Sequence, residues 1–227
     1  MSHASPIRAR RKIDRLLPAH VAPFSDIQTG FLVDALGRTG ALHHRIKPVW
    51  SSPFFAGSAL TVAVPPKDNL AIYAAMRIAQ PGDVLVIATG AYEGAALFGD
   101  YMAGLMKNCG IVAVVTDGMV RDVSGIAQVG LPVYARGVTP NSPFKNGPGE
   151  IGFPIALDGV PVRSGDLMLG DADGVVVCPR ERLAQVLPAL QAIHTNEADM
   201  DRAVREGLKT PKWLDELFDA AGVTFVD

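Results

Sequence analysis

Three side chains in this sequence could share one reaction: Asp100 and the adjacent pair Arg121 and Asp122. The pair closes the stretch TDGMVRD (116–122), which follows the apolar run 111–115. A guanidinium and a carboxylate that neighbour in sequence can project in different directions from a loop, so the pair is either a local ion pair or two halves of a site. Arginine offers a planar fork that matches a carboxylate, and Asp122, with or without Asp100, offers hard oxygen ligands. Those ligands suit Mg²⁺, which keeps several waters and binds through only one or two protein carboxylates. A 2-oxo acid fits such a set. Its carboxylate would meet Arg121, while its keto oxygen and one carboxylate oxygen would chelate the ion, whose Lewis acidity stabilises the charge that C–C cleavage places on the keto oxygen.

Asp100 stands with Gly99 where a helix is expected to begin, so the backbone N–H groups of Tyr101 and Met102 would face an anion. Taken alone, Asp100 reads better as a helix cap. Twenty residues separate it from Arg121, room for one helix and one strand, and ligands of open α/β sheets gather where carboxyl ends of strands meet helix N-termini. Both carboxylates and the arginine would then meet in one cleft. The glycines at 90, 94, 99 and 104 have neither of the phosphate-cradling spacings, G-x-G-x-x-G or G-x-x-x-x-G-K-[ST].

The elements that must hold this trio are written as short Val- and Ile-rich runs after Gly or Pro: 58–64, 84–89, 111–115, 131–135, 166–170 and 174–178. Each reads as a buried strand. Leu70, Tyr73 and Met76 follow a capping Asp68, and Met102, Leu105, Met106 and Cys109 keep helical spacing up to Gly110. Alternating strands and helices make an α/β fold. Residues 140–165 hold enough Gly and Pro for turns and edge strands but no helix, giving a second β layer or a long functional loop. The expected division is a basic, solvated and partly disordered arm at 1–20, an α/β catalytic domain at 21–188, and a C-terminal helical extension at 189–227 belonging to the same unit.

Composition narrows the function. The chain has 227 residues, 48% hydrophobic and 19% charged, with 21 basic against 23 acidic side chains, so it has no basic excess for nucleic acid. No apolar run is long enough to span a membrane, and no hydrophobic segment follows the basic start to make a signal peptide. Two cysteines, Cys109 and Cys178, cannot build a disulfide framework, which points to a reducing cytoplasm. The adjacent His43 and His44 lack ligand spacing and read as solvent-exposed, and Asp171 and Asp173 in GDADG read as a turn because position 182 is arginine where a calcium loop needs glutamate.

Asp100, twenty residues, then Arg121 and Asp122 resembles the D-X20-R-D signature of the divalent-metal pyruvate aldolases, the 4-hydroxy-4-methyl-2-oxoglutarate aldolase family. PGDVLVIATG (81–90), VVTDGMVRDV (114–123), LPVYARGVTP (131–140) and GDLMLGDADGVVVCP (165–179) are similar to recurrent segments of that family. The resemblance implies a layered β/β/α swivelling-domain-like fold in trimers or hexamers. It implies a lyase that cleaves a 4-hydroxy-2-oxo acid, such as 4-hydroxy-4-methyl-2-oxoglutarate or 4-carboxy-4-hydroxy-2-oxoadipate, to pyruvate, with oxaloacetate decarboxylase activity, using Mg²⁺, Mn²⁺ or Co²⁺. By position, Gly99, Asp100, Tyr101, Met102 and Arg121 would bind the 2-oxo acid, Asp122 the metal, and Asp100 a water of its shell. Lys145 matches a substrate-contacting lysine, and Asp34 and Glu197 match acidic residues that reach the site across subunits. The turn ATGAYEGAALF (88–98) departs from the aspartate-containing turn of the family. The same family holds non-catalytic inhibitors of ribonuclease E, which typically lack the aspartate after the arginine. A methyltransferase label attached to similar sequences finds no cofactor-binding glycine pattern here.

Overall fold

The computed structural model describes residues 6–51, 54–211 and 213–226. In chain order its strands are β1 (Ile7–Ala9), β2 (Lys47–Pro48), β3 (Phe55–Ala63), β4 (Asp83–Ala88), β5 (Ala113–Thr116), β6 (Met119–Val120), β7 (Val133–Ala135), β8 (Gly137–Val138), β9 (Gly149–Ile151), β10 (Ile155–Leu157), β11 (Val160–Val162), β12 (Leu167–Asp171) and β13 (Gly174–Cys178). The helices are α1 (Pro18–Val21), α2 (Thr29–Ala35), α3 (Leu70–Met76), α4 (Asp100–Asn108), α5 (Val123–Val129), α6 (Leu183–Arg205) and α7 (Trp213–Ala221).

Strands β3, β4, β5 and β7 run parallel at the centre of the sheet. The long β3 changes partner along its length. Its first half pairs antiparallel with β12 and its last residues pair antiparallel with β9. Side chains alternate between the two faces as a period of two requires. Leu60, Val62, Leu85, Ile87, Val114 and Val133 meet helices α3, α4 and α5 on one face. Ala59, Val84, Val86, Val115 and Tyr134 meet the β10–β11 hairpin and the inner residues of β12 and β13 on the other. Burial on both faces explains why these strands read as continuous apolar runs. The outer residues of β12 and β13 pack in turn on α2 and α6, which completes an α/β sandwich of β/β/α layers with a C-terminal helical extension, as expected.

Two expectations are corrected. The basic arm is docked from Pro6 onward; only residues 1–5 of it lie outside the described residues. β1 pairs with β9, Arg8 and Arg10 stack on Phe153, and Arg15 makes an ion pair with buried Asp83 at 2.8 Å. These partners sit far along the chain, so the arm's charge gave no hint of them. The extension begins earlier than 189, because α6 starts at Leu183 and continues through Pro188. Pro188, which removes the helical donor to the Ala184 carbonyl, is exposed, as is Ala184. His43 and His44 are exposed, with their rings 4.2 Å apart because residues 43–46 form a turn. Among the described residues no helix is long and apolar enough to cross a membrane.

Candidate active site

The carboxyl ends of β4 and β5 give the site its floor. After β4 the chain loops through 89–99 into α4, and after β5 it turns at Asp117 and Gly118 into β6. Asp117 fastens the two loops together, since its carboxylate accepts the N–H groups of Thr89 (2.7 Å) and Ala91 (2.8 Å). Burial pushes its pKa up, against the pull of those two N–H bonds, and the nearby Asp158 charge adds to the rise. The first aspartate of TDGMVRD is therefore a structural clasp.

The two loops then run side by side. Leu97 N–H donates to the Met119 carbonyl at 2.8 Å and Arg121 N–H to the Phe98 carbonyl at 3.0 Å, which places Gly99 and Asp100 beside Arg121 and Asp122. Gly99 is the N-cap of α4 and Asp100 its first residue, so Asp100 is not the cap. Its Oδ1 accepts the N–H of Tyr101 at 2.6 Å. Asp122 is the N-cap of α5 and holds a left-handed backbone (φ 56°, ψ 43°), a conformation that costs most side chains energy and that aspartate tolerates better than most.

Each carboxylate rests on a glycine of the other's element. A Cβ on Gly99 would collide with Asp122 Oδ2, and one on Gly125, in the first turn of α5, would lie 2.5 Å from Asp100 Cβ and 2.7 Å from its Cγ. Arg121 Nε lies 3.1 Å from Asp122 Oδ2, and its Nη1 donates to Ser142 Oγ at 2.8 Å. The pair is thus a local ion pair whose two members also line one cleft. With both partners about 40% exposed (39% and 44%), the ion pair contributes no more than about 1 kcal/mol.

These groups line a cleft of about 150 Å³ together with Asn69, Tyr73, Phe98, Tyr101, Met102, Pro143 and Lys145. Lys145 is exposed, with Nζ 5.9 Å from the Tyr73 ring centre. Met102 is buried in the core, so it offers the cleft mainly its backbone, whereas the Tyr101 ring stands out in solvent at the mouth. Asp34 and Glu197 do not join the cleft of their own chain. Asp34 lines a separate depression with Val33, His43 and Asp173, and Glu197 is exposed on α6. Asn69, Tyr73 and Ser142 were missed from sequence. Only Asn69, next to the capping Asp68, carried any signal.

Two carboxylates beside one arginine fit a hard, largely hydrated divalent ion such as Mg²⁺. Among the described residues no group of three or more His, Cys, Asp or Glu side chains is arranged to cage a metal, so the donor set does not fit a structural zinc centre. A larger cavity of about 460 Å³ lies at the amino ends of β3 and β4, walled by Leu16, Phe55, Gly57 and Val112 around the Arg15–Asp83 pair. Its one arginine is already paired with Asp83.

A family described as "RraA-like: Aldolase/RraA" matches residues 29–177. A protein of Halalkalibacterium halodurans named "Putative 4-hydroxy-4-methyl-2-oxoglutarate aldolase" is 37% identical over 188 residues, 83% of this chain and 90% of that protein. An uncharacterised protein from Pseudomonas syringae pv. tomato shares the fold with a TM-score of 0.75 at 24% identity, over 86% of this chain and 96% of that one. The RNA-processing inhibitor RraA from Thermus thermophilis aligns with a TM-score of 0.63 at 29% identity, over 68% of this chain and 93% of that one.

Proposed function

The chain belongs to the RraA-like family, and from that premise we propose that it is a divalent-metal-dependent lyase, releasing pyruvate from a 4-hydroxy-2-oxo acid and decarboxylating oxaloacetate. One observation carries the reading. Asp100, Arg121 and Asp122 converge with the N-terminus of α4 on a single cleft. Asp122 would hold the divalent ion and Asp100 a water of its shell, with Mg²⁺ preferred and Mn²⁺ or Co²⁺ as substitutes. When bound, the ion supplies Lewis-acid stabilisation of negative charge on the substrate.

The chain's own residues supply the rest. Arg121 would swing part of its fork from Asp122 and Ser142 onto the 2-oxo acid and hold its carboxyl end against the α4 amides. Both present partners are partly exposed, so exchanging them costs little. In the transition state the same guanidinium faces the growing charge at the keto oxygen. Asp100, seated by Gly125, would accept or return a proton through water. Lys145 supplies a second cation for a distal carboxylate. The assembly we propose is a homotrimer or hexamer in the cytoplasm, with Glu197 and Asp34 brought to a neighbour's cleft.

The test is incubation of purified protein with oxaloacetate or 4-hydroxy-4-methyl-2-oxoglutarate and Mg²⁺, with pyruvate coupled to NADH oxidation. The likeness to the Thermus inhibitor favours a second reading, a non-catalytic binder of a ribonuclease. Pyruvate release no faster than with metal alone from both substrates would select it.

A further inference from the structure

One side chain that lines the cleft has a buried atom without a partner. Asn69 is 2% exposed, and its Oδ1 is buried and accepts no hydrogen bond. The orientation of the amide is fixed, because Nδ2 donates to the Leu97 carbonyl at 2.7 Å, a group that can only accept, and lies 3.3 Å from Met102 Sδ. Leaving a buried acceptor unsatisfied carries its full desolvation penalty. The backbone around it gives no relief. Asn69 occupies the N-cap position of α3 without a side-chain capping bond, and the adjacent Leu70 N–H is taken by Asp68 Oδ1 at 2.9 Å.

Asn69 lines the same cleft as Asp100, Arg121 and Lys145. An amide oxygen cannot bind the carboxylates or the keto oxygen of a 2-oxo acid, which are acceptors too. It can bind a hydroxyl. We infer that Asn69 is a specificity residue of this cleft, whose Oδ1 receives a hydrogen bond from a hydroxyl group of the substrate. The inference rests on the proposed function and narrows it, since a 4-hydroxy-2-oxo acid carries such a group and keto oxaloacetate does not. The amide takes no proton. The hydroxyl turns about its C–O bond, so Asn69 places its oxygen during binding and leaves the proton for a carboxylate to remove.

The experiment compares Mg²⁺-loaded wild type and Asn69→Leu, a near-isosteric change, on 4-hydroxy-4-methyl-2-oxoglutarate and on oxaloacetate, with pyruvate binding measured by calorimetry. KM for the hydroxy acid should rise roughly 10-fold, the scale of one hydrogen bond, while KM for oxaloacetate and Kd for pyruvate stay within about 2-fold. Asn69→Ala serves if the leucine variant fails to bind pyruvate. Equal losses on both substrates, or none on either, overturn the assignment. Wild type that releases pyruvate from neither substrate instead removes the proposed function itself.

Discussion

Replacing Gly125 with alanine adds one methyl group, and it should cost catalysis far more than stability. That methyl would lie 2.5 Å from Asp100 Cβ, an atom fixed to the backbone, so rotating the carboxylate alone cannot relieve the contact. Restoring van der Waals distance requires α4 and α5 to part by about 1 Å at their first turns. Overpacking of this kind costs about 1–3 kcal/mol. Alanine returns about 1 kcal/mol of helix propensity. The net loss of at most about 2 kcal/mol lowers Tm by no more than about 8 °C in a chain of this size. A misplacement of about 1 Å in a reacting group can cost on the order of 10²-fold in rate. Gly125→Ala should therefore keep a cooperative thermal transition while kcat for pyruvate release falls about 100-fold. Gly99→Ala makes a useful contrast, since its methyl meets the mobile end of Asp122, with Oδ2 nearest and Cγ at 3.0 Å, and should weaken metal dependence first. If Gly125→Ala turns over within about 3-fold of wild type, the placement of Asp100 by α5 has no catalytic meaning.

Asp122→Asn should fold normally, because asparagine also tolerates the left-handed backbone at this position, yet need at least about 10-fold more Mg²⁺ for half-maximal activity; an unchanged Mg²⁺ titration would remove Asp122 from the metal site. Mixing Arg121→Ala with Glu197→Ala under verified subunit exchange should recover activity that neither parent has, since Glu197 lies away from its own cleft; recovery to no more than the parental level would leave Glu197 without a role in a neighbour's site. Burial pushes the Cys178 thiol up to about 11, so at pH 8 its thiolate is on the order of 10⁻³ of the total. A thiol reagent should modify Cys178 only after unfolding in guanidinium, and modification of the native protein within minutes would contradict its packing against α2 and α6.

What could be read in advance was whatever the chain states locally. The Val- and Ile-rich runs became β3, β4, β5, β7, β12 and β13, and Met102, Met106 and Gly110 marked α4 and its end. Asp100, Arg121 and Asp122 line one cleft, because α4, β5 and the short β6 fill the twenty residues between Asp100 and Arg121. The rest depends on partners distant in sequence. Arg15 looked like one more charge of a loose arm until Asp83, 68 residues on, was seen to receive it. Gly125 looks like a poor helix residue until Asp100 is placed against it. The unpartnered oxygen of Asn69 is legible only in the structure, since sequence does not record an absent hydrogen bond.

The central claim is that pyruvate is released at the Arg121 cleft with the help of a divalent ion. The most direct measurement follows pyruvate from oxaloacetate in three arms: wild type with Mg²⁺, wild type with Mg²⁺ and excess EDTA, and Arg121→Lys with Mg²⁺, each corrected for the metal-only rate. Lysine keeps the charge but cannot reproduce the fork that now reaches Asp122 at 3.1 Å and Ser142 at 2.8 Å. The account predicts release above background in the first arm alone, with the other two at least about 100-fold lower. A wild type at the metal-only rate, or Arg121→Lys as fast as wild type, would contradict it.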